Sequence, residues 1–234
     1  MDQKTSAIIG IILLCVAMLA TLLLHQAFFH REKDPRKVIR SITCDAMIMA
    51  IILLMTFVPS IGYIQLTPFI SFTLLHLPVL LGAAIGGWKK GLLFGFVFGV
   101  SSYINAFGTT GLNLLFAMPW VAIPPRMLFG LVAGIVFSLI GKLSKRKTKV
   151  LYLGLAAAGL TMLHTVFVFG DLYLFHAETI AGLFASTSPI GTGTTLTFSL
   201  IILFGMLGEM AIAAILIPPV VSALRKAVPS IFAY

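Results

Sequence analysis

Arg126 is the side chain in this sequence with the most chemistry open to it, a permanent cation inside a long apolar run directly after Pro124 and Pro125. Counted along that run, it lies roughly 10 Å in from the outer end, at about 1.5 Å per residue. The two prolines lack N–H groups and so release carbonyls nearby. A guanidinium at that depth must face protein or a wet cavity. Its planar fork suits a carboxylate held bidentately. Two readings stand side by side: contact with an anionic ligand, or a structural ion pair. Glu209, beside Gly205 and Gly208 midway along the last apolar run, is the acid available for such a pair. It is equally placed to hydrogen-bond a ligand.

The other polar groups divide by position. Asp45 falls one turn inside the start of its run, near Arg40, where a carboxylate complements the helix dipole. His76 precedes Pro78, His164 sits in mid-run and His176 lies beyond it. A lone buried histidine is more often a hydrogen-bonded core residue than a ligand, and no His/Cys spacing suggests zinc. Cys15 and Cys44 read as small buried hydrophobes. Tyr63, Gln65, Thr73, Asn105 and Asn113 collect near the outer ends of their runs, as the mouth of a binding site requires. The H-E-x-x-H, G-x-S-x-G and Walker patterns of enzymes do not occur. With one mid-run glutamate and no paired aspartates, a membrane aspartyl protease lacks its dyad. Neither an enzyme nor a cofactor is expected.

The elements that carry these residues follow from composition. Hydrophobic residues make up 59% of the chain and charged residues 10%, well outside the soluble globular range. The net charge of +9 collects in short clusters rather than along a groove, so nucleic acid is not the expected partner. All Lys and Arg except Lys4 and Arg126 lie at residues 31–40, 89–90, 142–149 and 225–226. The stretch 46–88 carries no formal charge and exceeds twice the about 20 residues that one crossing needs. Positive-inside bias places all four clusters in the cytoplasm, where they can also meet anionic lipid.

The apolar runs predict seven helices, at 6–29, 41–58, 68–87, 91–107, 119–141, 150–170 and 196–221. The first has little charge before it and no evident cleavage site, so a retained helix with its N-terminus outside is expected. External loops are expected at 61–67 and 171–195. Gly91, Gly95 and Gly99 form a small-residue ridge, as do Gly130 with Gly134, and Ala46 with Ala50. Such ridges let helices approach closely where lipid offers no hydrophobic drive to associate, and internal packing is the expected role of the two glycine ridges.

Several runs resemble the substrate-binding S components of energy-coupling-factor (ECF) vitamin transporters. They are FVPSIGYI at 57–64, TLLHLPVLLGA at 73–83, GVSS at 99–102, PRMLFGLVAG at 125–134, and Glu209 through Pro218-Pro219. The match spans roughly 40–226 and leans towards pantothenate-type S components. The resemblance implies an all-α, six-helix membrane bundle at 35–234, preceded here by an extra transmembrane helix and the start of a basic loop at 1–34. It implies capture of a small water-soluble vitamin outside the cell and delivery inward after docking on a membrane scaffold subunit with two cytoplasmic ATPases. It also implies that Ala46 and Ala50, an A-x-x-x-A pair, dock on that scaffold. The expected substrate-lining set is Tyr63, Gln65, Thr73, His76, Asn105, Asn113, Arg126 and Glu209, and an anion such as pantothenate is favoured. The alternative is a proton-coupled secondary transporter using Glu209 or His164, although the two halves show no inverted repeat with broken helices.

Overall fold

A computed structural model describes residues 34–58, 61–67, 70–108, 115–143, 148–186 and 193–232. The elements are α1 (Pro35–Phe57), β1 (Tyr63–Thr67), β2 (Ile70–Thr73), α2 (His76–Ala106), α3 (Pro119–Ala122), α4 (Pro124–Leu143), α5 (Lys149–Ser186) and α6 (Gly193–Ala227), followed by a 3-10 turn at Pro229–Ile231. Helix α1 starts where Asp34 caps it: its carboxylate accepts from the Arg36 N–H at 3.0 Å, and Pro35 occupies the first turn, where no donor is lost.

Five helices among the described residues are long and apolar enough to cross a bilayer: Pro35–Phe57, His76–Ala106, Pro119–Lys142, Lys149–Phe175 and Leu203–Ala227. This corrects the expected six-helix bundle with one extra helix. The segment 6–29, and with it most of the expected 1–34 unit, lies outside the described residues. The segments expected at 68–87 and 91–107 form one helical element interrupted at Gly87. Residues 70–73 are a strand, so the piece before Gly87 covers only 76–86, too short to span alone. Pro68 and the β-branched and aromatic residues after it favour an extended chain over a helix.

At Gly87 the backbone takes φ 70° and ψ −161°, a conformation that essentially only glycine adopts. The chain doubles back there. A Cβ on Gly82 would strike the Phe94 ring, and one on Gly91 would sit 3.3 Å from the Ala83 methyl, contacts impossible along a continuous helix. The returning arm carries the glycine ridge, which packs on α4: a Cβ on Gly91 would meet the Gly130 carbonyl, and one on Gly95 the Arg126 carbonyl. The ridges therefore serve internal packing, as expected.

The loop expected at 171–195 is also corrected, because α5 continues helical to Ser186 and α6 begins at Gly193. Leu, Ala and Phe in that stretch sustain a helix; its lack of Lys and Arg reports sidedness, not backbone conformation. Large apolar side chains on the outer surface, among them Leu155, Phe204 and Ile215, suit a lipid solvent.

Asp45 is buried and accepts from Lys90 Nζ at 2.8 Å, while the same ammonium donates to Ser41 Oγ at 2.8 Å. This pair ties α1 to the chain reversal. Removing one member leaves the other buried and uncompensated. Lys90→Met is expected to lower stability by about 3–5 kcal/mol, and Asp45→Leu with Lys90→Met to recover most of it. Thermal unfolding in detergent reads both.

Candidate functional site

The polar groups gather where helices stop. Helix α3 ends at Ala122 and α4 starts at Pro124, whose missing N–H marks the break. The carbonyl of Ala122 accepts from Arg126 Nη1 at 2.7 Å. The guanidinium, 4% exposed, lies between two aromatic rings, 5.0 Å from the Phe98 centroid and 4.7 Å from that of Phe116. Arg126 Nε is buried and has no hydrogen-bond partner among the described residues. Tyr63 and Asp171 lie within electrostatic reach of the charge.

Glu209 does not pair with Arg126 among the described residues. Its Oε1 accepts the backbone N–H of Thr73 at 2.5 Å. Because Glu209 lies near the middle of α6, the end of the β-hairpin is fastened deep along that helix. The hairpin is antiparallel, with Tyr63 opposite Thr73 and Gln65 opposite Ser71, and the Leu74 N–H donates to the Gly62 carbonyl at 2.9 Å. Strand backbone at that depth is tolerated only where its donors and acceptors find partners inside the protein.

The Tyr63 hydroxyl makes a long contact of 3.4 Å with Ser102 Oγ. Burial pushes the Tyr63 phenol above its ordinary pKa, with the Arg126 charge and the Ser102 contact pulling the other way. The buried rings of His76 and His164 stack with centroids 5.7 Å apart, and His164 also packs on Phe98 and Phe129.

Of the expected lining, the structure brings Tyr63, Thr73, His76 and Arg126 around one cluster, with Glu209 fastened to it through Thr73. Gln65 is placed by its backbone in β1. Asn105 is half-buried near the end of α2, and its side chain joins none of these contacts. Asn113 lies outside the described residues. Phe98, Phe116, Ser102, Phe129, His164 and Asp171 were not in the expected set. The legible signals were a Phe inside the Gly95–Gly99 ridge and an acid, Asp171, in an otherwise apolar stretch. No group of three or more His, Cys, Asp or Glu able to hold a metal occurs among the described residues.

Residues 40–221 match the family described as "ECF transporter, substrate-specific component". The chain belongs to that family. It is a multi-pass membrane protein and a transport subunit rather than an enzyme, the substrate-binding component for a vitamin-like nutrient. It is 34% identical over 186 residues to the "Pantothenic acid transporter PanT" of Lactococcus lactis subsp. cremoris, covering 70% of this chain and 83% of that one. It is 35% identical over 95 residues to the "Pantothenate transporter PanT" of Leuconostoc mesenteroides subsp. mesenteroides, covering 38% of this chain and 47% of that one.

The Glu209 contact has a direct readout. Hydrogen bonds to a charged acceptor exceed neutral ones in strength. In Glu209→Ala, amide exchange at Thr73 is expected to accelerate about tenfold or more over wild type. Mass-spectrometric hydrogen exchange measures it, and an unchanged Thr73 rate would remove Glu209 from the hairpin's support.

Proposed function

We propose that this S component captures a pantothenate-like anion, with Arg126 as the counter-ion to its carboxylate. The observation that carries the reading is the buried guanidinium, spanned by two aromatic rings, with one nitrogen free of any partner among the described residues. A buried cation is stable only with a compensating charge nearby. Asp171 supplies part of that compensation, and a bound carboxylate would supply more. Two relatives with transport of this acid in their names support the choice of substrate. Tyr63, Thr73 and His76 complete the lining, with Asn105 nearer the end of α2. Glu209 acts through the hairpin.

The positive clusters at 31–40, 89–90, 142–149 and 225–226 face the cytoplasm in this reading, and the β-hairpin and Arg126 open to the outside. The partners are the membrane scaffold subunit and the two cytoplasmic ATPase subunits implied by family membership, with α1 as the docking helix. On α1, Ala46 is half-buried and Ala50 exposed, while Met47, Ile51 and Leu54 stand out beside them. Small residues on an outward face suit close approach by another helix.

Two experiments test the proposal. Titration of the purified chain with pantothenate should give saturable binding, and Arg126→Gln should weaken it by about tenfold or more. Retention of affinity within about twofold would remove the counter-ion role. Ala46→Leu with Ala50→Leu should abolish uptake in cells carrying the scaffold and ATPases while leaving binding by the isolated chain intact. Loss of binding as well would place these alanines in the bundle's own packing instead.

A further inference from the structure

The imidazoles of His76 and His164 stack on each other inside the bundle, beside the Arg126 cluster. His76 is fully buried and His164 is 5% exposed, and the rings lie 21° from parallel. Phe98 and Phe129 cover the His164 ring, at 5.6 and 4.9 Å between centroids. Two phenylalanines would fill this space with the same stacking. What imidazole adds is nitrogen. Neither nitrogen of His164 has a hydrogen-bond partner among the described residues, and His76 has at most the Thr73 backbone for one of its two. Unsatisfied buried donors and acceptors are costly and call for a partner.

The chemistry of that partner is constrained from several sides. Two imidazoles without a third ligand fall short of a metal site among the described residues. Arg126 and His164 both pack on the Phe98 ring, at 5.0 and 5.6 Å from its centroid, so one small ligand is long enough to span the two. A neutral imidazole presents one donor and one acceptor. A hydroxyl group, which both donates and accepts, is complementary to it.

We propose that His76 and His164 read the uncharged half of the ligand, so that this site selects small acids carrying hydroxyl groups over acids of the same shape without them. The inference rests on the carboxylate reading of Arg126 and deepens it by dividing the ligand in two: the carboxylate goes to the guanidinium, and the hydroxyl-bearing end to the histidine pair. Selectivity follows because a site built to hydrogen-bond a hydroxyl is left with buried unpaired nitrogen when the analogue lacks it.

The test compares pantothenate with 3,3-dimethylbutanoyl-β-alanine, the same skeleton without its two hydroxyls, by calorimetric titration of the purified full-length chain. Wild type is expected to prefer pantothenate by about a hundredfold or more. His76→Phe and His164→Phe should each weaken pantothenate by about tenfold or more and leave the dideoxy acid within about threefold. Wild type that binds the two acids within about threefold overturns the inference while leaving the Arg126 reading intact, as do phenylalanine variants that bind pantothenate as wild type does. Wild type that binds neither acid overturns both. If a phenylalanine variant fails to fold, His164→Leu keeps the residue assignment testable: it removes both ring nitrogens and should lose most of the preference, and full wild-type discrimination in it would overturn their role.

Discussion

Inside a bilayer, backbone that leaves the helix must find its hydrogen-bond partners within the protein. Besides the reversal at Gly87, two interruptions among the described residues show how this is done. Between α1 and α2 the chain runs through a β-hairpin, whose strands pair with each other and whose last N–H is taken by the Glu209 carboxylate. Between α3 and α4 it pauses at Ile123, and the freed Ala122 carbonyl is taken by Arg126. The two intramembrane charges that look like partners in the sequence are thus spent on two separate interruptions. The site lies where these interruptions meet.

The rest of the bundle holds that arrangement still. The reversal at Gly87 lets a short helical arm reach inward from the hairpin and a longer arm return along α4. The returning arm approaches α4 so closely that glycine is needed on both sides, and one of those contacts is on the Arg126 carbonyl itself. On the other side of the reversal, the buried Lys90–Asp45 pair fastens it to α1. The helix bearing the outward alanines is thereby tied to the same element that positions His76 and Phe98. This gives a physical route by which events at the proposed docking face and at the proposed ligand cluster can influence one another.

Much of this was legible in the sequence and some was not, for reasons tied to particular residues. Apolar length and charge clusters located the spans at Pro35–Phe57, Pro119–Lys142, Lys149–Phe175 and Leu203–Ala227, because desolvation acts on every residue alike. The glycine ridges declared a close helix pair because only small residues permit one. Hydropathy is blind to the difference between an apolar strand and an apolar helix, so 68–87 read as one helix where the chain makes a strand and a short arm. The same blindness hid the helical continuation of α5 past Asp171. Pair identity was not legible either: Asp45 sits one turn from Arg40 but finds Lys90 across a helix boundary, and Arg126 finds Phe98, Phe116 and the neighbourhood of Asp171 instead of Glu209. Such choices depend on which helices face each other, which a single chain does not display.

The central claim is that breaking the helices brings one buried guanidinium to a place where an acid can neutralise it. A structure of the protein with pantothenate bound tests this most directly. The account predicts the ligand's carboxylate oxygens about 3 Å from the Arg126 nitrogens, between the Phe98 and Phe116 rings. A carboxylate bound elsewhere, with Arg126 still holding only the Ala122 carbonyl, would contradict it.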